Sequence, residues 1–384
     1  MTVVGLLLAA CAFNGAGPGA RPDCLIGYTE FRTDLPGGRH ANETTMRAWV
    51  VRADGGERRV LAEQLAPKPD TWTQFGGWSP DGRQAIILAC WEGAENAAWE
   101  EEHQTFRFNA EGWLVDSCVV DVATGEINNL TAVERVSFYN TGLFFWPNDP
   151  TRLGFEALIE GESHPLSMNR DGTGKRDLSQ ATGFSYGFGA SPDGRRIAYH
   201  SNYQIYLADA DGRNPTRVDT GNPFNFCPRW SADGQWLIFL SGEHYRCHPY
   251  LVRSEGVGLR KLADRGDYSG VVAFLDVPDF HGGSSDVPVW SPDGRWVYYT
   301  AKVGGAVELM RVSLAGAVEQ LTRSEPGVLG YHPQVSPDGE WVVFGSTCSG
   351  ARNLYVARAD GSEVVPITSL QPGWGAMWAH WQPR

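Results

Sequence analysis

The chain repeats one short device, strand, tight turn, strand, and a fold must accommodate every copy. The fullest copy is Val289-Trp290-Ser291-Pro292-Asp293-Gly294-Arg295-Trp296-Val297-Tyr298-Tyr299. Pro292 presets the φ of the second position of a type I turn, Asp293 follows, and Gly294 tolerates the exit geometry. The flanking aromatic and β-branched runs suit strands. The device returns as Trp78-Ser79-Pro80-Asp81-Gly82, Ala190-Ser191-Pro192-Asp193-Gly194, Trp230-Ser231-Ala232-Asp233-Gly234 and Val335-Ser336-Pro337-Asp338-Gly339, with a degenerate copy at Trp146-Pro147-Asn148-Asp149-Pro150. Ser191 and Ser231 are 40 residues apart and Ser291 and Ser336 are 45 apart, while the 60 between Ser231 and Ser291 imply an insertion. Four short strands at that period are the signature of a β-propeller blade.

A second series of hairpins gives an independent count. Arg52-Ala53-Asp54-Gly55, Ala123-Thr124-Gly125, Arg170-Asp171-Gly172, Ala210-Asp211-Gly212, Ser254-Glu255-Gly256, Leu314-Ala315-Gly316 and Ala359-Asp360-Gly361 each follow an apolar strand. That is seven against six. With strands labelled A to D outward from the channel, the first series is the A to B turn and the second the C to D turn. The segment Cys24 to Glu63 then supplies strands B, C and D without an A strand, and Gly375 to Pro383 supplies an A strand after which the chain stops. The expected fold is therefore all-β, a seven-bladed propeller of four-stranded antiparallel blades in residues 24–384. The C-terminal strand completes the N-terminal blade and removes the free sheet edge.

Bulk properties narrow the partners. A formal charge of −13 supplies no basic face for phosphate, which argues against a nucleic-acid binder. No apolar run is long enough to span a bilayer. Residues 1–23 read as a signal and tether: Leu8-Ala9-Ala10-Cys11 resembles a lipoprotein processing box, and Gly and Pro are frequent up to Arg21. The expectation is export to the periplasm or attachment to an outer membrane through a lipid on Cys11. Six further cysteines are compatible with an oxidising compartment, Cys227 and Cys247 being the pair to bridge, and no CxxC spacing suggests structural zinc. A ring closed by its own terminus is expected to work as a monomer.

Two long excursions interrupt the blades. One runs from Trp91 to Gly112 and is rich in Glu and Trp; the other, Gly266 to Ser285, carries Phe280-His281-Gly282-Gly283. Such insertions are commonly binding or lid elements. The first reads as a solvated cover packed by its aromatics or, alternatively, as a platform for sugars.

The nine histidines favour one face of the ring. His40, His103, His164, His244 and His248 are assigned to B to C connections, His200 to the end of a B strand, His281 to a D to A connection, and His332 and His380 to the beginnings of A strands. None falls on the Ser-Pro-Asp-Gly face. Neutral imidazoles at that density, with carboxylate or amide oxygens, suit a divalent ion. Candidate metal ligands are His248, His281, His332 and Gln334. Candidate catalytic residues are His244, Tyr245, Arg246 and His200, and candidate substrate contacts are Arg32, Arg39, His40, Trp91 and Asp286. For His103 and His164 a structural or solvated role is the simpler reading. No Gly-x-Ser-x-Gly elbow, triad order or phosphate loop is present.

The segments Ser191-Pro192-Asp193-Gly194-Arg195-Arg196-Ile197-Ala198-Tyr199 and Ser336 to Phe344, with Asn353-Leu354-Tyr355-Val356, resemble the blade repeat of TolB-type propellers over nearly the whole chain. Histidines at the mouth of a seven-bladed ring are also similar to those of the oligogalacturonate lyases. That resemblance implies a divalent metal, manganese or calcium, at His281, His332 and Gln334, and a base among His244 and Arg246, acting on an anionic, uronate-containing oligosaccharide. Leu329 and Gln334 stand where that family's Gln-x-x-His-x-His cluster has Gln and His. β-Elimination requires neutralisation of the uronate carboxylate, a base for the C5 proton and support for the departing O4. The expected function is thus metal-assisted elimination. The alternatives are a non-catalytic TolB-like module for protein or glycan, and a hydrolase pairing Glu160, Glu162 or Glu243 with Asp286.

Overall fold

The computed structural model describes residues 21–103, 107, 111–179, 185–269, 271–272, 277–278 and 286–383. Seven four-stranded antiparallel sheets follow one another along the chain. Blade 1 is made of Trp374–Trp381, Leu25–Arg32, Arg47–Arg52 and Arg59–Val60, from strand A to strand D. The A strands of blades 2 to 7 are Thr71–Trp78, Asn140–Phe145, Ser185–Ala190, Phe224–Trp230, Val289–Trp290 and Gly330–Val335. The closure expected from the missing first strand is present: Ile26 pairs with Trp381 and Arg32 with Trp374, so the two ends of the chain share one sheet.

The repeated motif is explained atom by atom. In blade 2 the Ser79 hydroxyl donates to Asp81 Oδ1 (2.6 Å) and accepts from the Gln84 amide (2.9 Å), while the Gly82 amide closes the turn onto Ser79 O. Ser191, Ser231, Ser291 and Ser336 repeat the contact to their own aspartates. These hydrogen bonds favour the ionised carboxylate and hold Asp81, Asp193 and Asp233 below the usual range, so part of the acidity serves turns. The recurring tryptophan joins blades as well as filling core. Indole N–H groups of Trp78, Trp230, Trp290 and Trp381 donate to the carbonyls of His380, Gly189, Arg229 and Gln334, in each case on the A strand of the preceding blade. Each bond contributes about 1 kcal/mol, and together they set the rotation of one blade against the next.

The core lies between blades. Trp341, Val343, Leu354 and Val356 of blade 7 pack on Ile26, Tyr28, Val51 and Ala376 of blade 1, so the seam where the termini meet is as filled as the others. Cys227 and Cys247 occupy one such layer with Phe226 and Leu240. Both are buried thiols rather than halves of a cystine, which corrects the expected bridge.

Candidate functional site

Each innermost strand, or the residue leading into it, contains one left-handed residue. These are Trp378 (φ 53°), Gly77 (144°), Gly142 (64°), Gly187 (84°), Cys227 (52°), Asp286 (56°) and His332 (49°), in blades 1 to 7. Most coincide with a slip of register in the A to B ladder, between Phe75 and Gly77, Thr141 and Phe144, Ser185 and Phe188, Phe226 and Arg229, and Tyr331 and Gln334. Such bulges bend a strand and re-aim side chains. Blades 2, 3 and 4 use glycine, for which the conformation is free. Blades 5, 6, 7 and 1 place Cys, Asp, His and Trp there, at roughly 1–2 kcal/mol each. The ring of left-handed positions is therefore half bare and half furnished.

The furnished half carries a connected polar network. Asp286, 4% exposed, accepts from the His332 amide (2.7 Å) and from the Tyr268 hydroxyl, and its Oδ1 stands 3.6 Å from His332 Nε2. Arg265, 1% exposed, lies over the Tyr268 ring at 4.4 Å and donates to Thr300, which fixes the tyrosine from behind. His332 Nδ1 is buried with no hydrogen-bond partner. The His332 ring stacks on Trp378 with centroids 6.1 Å apart. Burial lowers the His332 pKa against the opposing pull of Asp286, so the imidazole is neutral near pH 7. His380 is pushed down to about 4 by burial first, then by the Arg229 cation, with the neighbouring His332 also disfavouring a second proton in the cluster. Those couplings place Arg229 of blade 5 and the two histidines of blades 7 and 1 in one electrostatic neighbourhood. The arrangement offers a neutral base, a cation and an aromatic face.

Trp378, His380, Arg229, Tyr268 and Arg265 were not among the candidates. Comparing the repeats column by column, rather than counting histidines, would have found three of them. His380 and Arg229 both directly precede the tryptophan column, and Trp378 shares its column with Cys227 and His332. His380 accordingly lies near the end of its A strand, Trp374–Trp381, and not near the start.

The excursion after Trp91 forms the helix Ala94–His103, which packs beside the helix Gly38–Glu43 of blade 1. Arg39 is its hub, 3% exposed, and bonds Glu43 (2.6 Å), Glu92 (2.8 Å) and Glu100 (3.2 Å) with its guanidinium 5.6 Å from the Trp113 ring centroid. Removing this buried cation would strand three carboxylates, so Arg39 is a structural residue and not a substrate contact. His40 sits edge-on to Trp72 with Nδ1 3.8 Å from Glu92 Oε2. Trp91 donates to Asp70 Oδ2 (2.5 Å). Arg32 pairs with Asp34 over the Trp374 ring. The cover is thus held by buried charge as well as by aromatics.

His244, Tyr245 and Arg246 form the B to C turn of blade 5, with His244 exposed, stacked on Phe224 (4.9 Å) and tilted against Tyr245 (4.1 Å). They belong to the rim. His200 is fully buried between blades, edge-on to Phe226 at 5.7 Å, away from the turn that carries His244, Tyr245 and Arg246. His248 lies inside strand C of blade 5, not in a connection, and its Nδ1 accepts from the Arg265 amide (3.1 Å). His332 and Gln334 belong to strand A of blade 7, and His281 lies outside the described residues. Among the described residues no three His, Cys, Asp or Glu side chains converge on a metal position. The expected ligand set is therefore not assembled by the residues described.

Comparison with known proteins agrees with this architecture. The family described as TolB beta propeller domain matches residues 203–383. The uncharacterized protein Atu1656 of Agrobacterium fabrum (strain C58 / ATCC 33970) is 30% identical over 221 residues, 55% of this chain and 69% of that protein. The chain belongs to the TolB-type β-propeller proteins. Among solved structures, a puromycin-hydrolyzing peptidase of Mycobacterium tuberculosis is similar with a TM-score of 0.52 at 13% identity, covering 78% of this chain and 47% of that one. An oligogalacturonate lyase in complex with manganese gives 0.49 at 17% identity, covering 70% and 71%. At 13% identity the likeness of the TolB-type chain to the puromycin-hydrolyzing peptidase is one of fold alone.

Proposed function

We propose that this TolB-type propeller binds an anionic saccharide at the furnished half of its channel and removes the proton next to a uronate carboxylate, a lyase reaction. The observation that carries the reading is His332: a neutral, mostly buried imidazole with an unpartnered Nδ1, held in place by Asp286 and set against Trp378. Trp378 supplies an apolar face for a sugar ring. Arg229 neutralises the carboxylate and so acidifies the adjacent C5–H. His332 Nδ1 takes that proton, the C5–H electron pair becomes the C4=C5 double bond as the C4–O4 bond breaks, water protonates the departing O4, and Asp286, beside Nε2, stabilises the imidazolium that results. The exposed rim residues His244, Tyr245 and Arg246 contact further sugar units.

A second reading, a non-catalytic receptor using the same channel, is favoured by the match to the TolB domain, which spans blades 5 to 7 and the closing strand. The hydrolase alternative gains no support. Glu160 and Glu162 belong to blade 3, Glu243 is exposed on the blade 5 turn, and Asp286 is buried in contact with Tyr268.

The test is an absorbance assay at the unsaturated-uronate band with galacturonate oligosaccharides, beside elemental analysis of the purified protein. Rising absorbance supports the lyase, and stoichiometric metal would bring His281 and its neighbours back as ligands. Saccharide binding without product supports the receptor. Among the described residues no helix is long and apolar enough to cross a membrane. Export and lipid attachment at Cys11, which lies outside the described residues, are part of the proposal, and mass spectrometry of the native N-terminus decides them.

A further inference from the structure

The bare half of the ring conceals one titratable group that the proposed reaction does not use. Glu156, on strand B of blade 3, is 5% exposed. Its Oε1 is buried without a partner, and the Gly187 amide donates to the carboxyl from blade 4. Across the ladder it faces Thr141 on strand A and Pro165 on strand C, and among the described residues no charged side chain contributes to its proton affinity. Burial pushes its pKa up to about 8, against the Gly187 amide. A carboxyl kept neutral in this way is a hydrogen-bond donor at pH 7.

Strand A of blade 3 lies on the channel side of this carboxyl, and at Gly142 that strand carries no side chain. Gly142 is exposed, and a Cβ there would lie 3.3 Å from Glu156 Oε2 and cover it. Gly187, the next ring position, likewise has no side chain to interpose. The gap borders Oε2, and a neutral carboxyl can carry its proton on that oxygen, so a ligand oxygen over Gly142 would accept a hydrogen bond from a group whose other oxygen is left without a partner, an unmade bond costing roughly 1–3 kcal/mol.

We propose that the bare half is a second subsite, in which Glu156 donates a hydrogen bond to a hydroxyl or carboxylate oxygen of the saccharide lying over Gly142 and Gly187. The inference rests on the channel reading above, but not on elimination chemistry.

The experiment uses trigalacturonate, with tryptophan fluorescence for occupancy and infrared difference spectra for the carboxyl. In the wild type a neutral-carboxyl C=O band, absent in Glu156→Gln, shifts when the saccharide saturates the protein. Wild-type affinity falls about tenfold or more from pH 7 to pH 9 as Glu156 ionises and repels the ligand. Glu156→Gln keeps the donor and the shape, so it binds within about threefold of wild type at pH 7 and loses nothing at pH 9. Occupancy by fluorescence with an unmoved carboxyl band, or a wild-type affinity that is flat across this range, overturns the proposal while leaving the channel reading intact. No binding at all overturns both.

Discussion

The two halves of the channel ring have the same backbone and opposite contents. In blades 2, 3 and 4 the left-handed position is glycine; in blades 5, 6, 7 and 1 it is Cys227, Asp286, His332 and Trp378. The glycine half shows that the propeller can be built at no conformational cost at these positions. Side chains in the other half are therefore carried against a cost, and polar or bulky residues retained in that way mark a site. The boundary between the halves is steric. A Cβ on Gly187 would come within 2.6 Å of Cys227 Cα, so at the junction of blades 4 and 5 the backbone of the furnished position excludes a side chain on its neighbour.

The comparison breaks first at His332. Replacing it with Gln keeps volume and removes the base, and turnover on galacturonate oligosaccharides is expected to fall by roughly 10²- to 10⁴-fold. The melting profile should stay close to wild type, because the backbone amide that Asp286 accepts from is retained. An unchanged turnover would return His332 to a purely structural role. Gly187→Ala tests the other half. Its methyl group meets backbone and not a flexible side-chain tip, at a φ of 84°, so a loss of about 3 kcal/mol is expected in denaturant unfolding. A change under about 1 kcal/mol would show that the bare half is bare by accident.

Much of this was legible in the sequence and some was not, for identifiable reasons. Ser-Pro-Asp-Gly encodes its turn locally, through Ser79 to Asp81 and its copies, so blade number and closure followed from short motifs. Asp286 and His332 were legible as chemistry. Arg39 was misread because its three partners come from the helix Gly38–Glu43, strand B of blade 2 and the helix Ala94–His103, which meet only in the folded ring. The burial of His200 and the strand position of His248 were not legible because a period-2 strand gives the column of a residue without saying whether a neighbouring blade covers it. Trp378 was hidden by its bulge, since a tryptophan at positive φ has no local sequence signal.

Acid and alkali should separate the halves in opposite directions. The folded pKa of His380, about 4, is below its unfolded value, so the native state binds fewer protons and stability is lost as pH falls from 6.5 toward 4. Glu156 is raised to about 8, so the unfolded chain releases its proton first and stability is lost as pH rises from about 4.5 toward 8. Unfolding free energies against pH should show both slopes, of up to roughly 3 kcal/mol on the acid side and roughly 5 kcal/mol on the alkaline side. His380→Gln flattens only the acid limb and Glu156→Gln only the alkaline one. Loss of both limbs in either variant would mean that the halves are one coupled unit.

The smallest effect makes the finest distinction. Cys227 is the one furnished position whose side chain has no place in the proposed chemistry; it packs with Phe226, Leu240 and Cys247 at a φ of 52°. Cys227→Gly removes the left-handed penalty of roughly 1–2 kcal/mol and forfeits a small buried side chain of similar worth, so stability should stay within about 1 kcal/mol of wild type. Turnover should not change either. It also clears the atoms that a methyl group on Gly187 would meet at 3.1 Å, leaving only the backbone clash with Cα. The double variant Gly187→Ala with Cys227→Gly should then be less damaged than the sum of the singles, by about 0.5–1 kcal/mol of coupling. Strict additivity would place the cost of Gly187→Ala in its own backbone and remove the steric boundary between the halves.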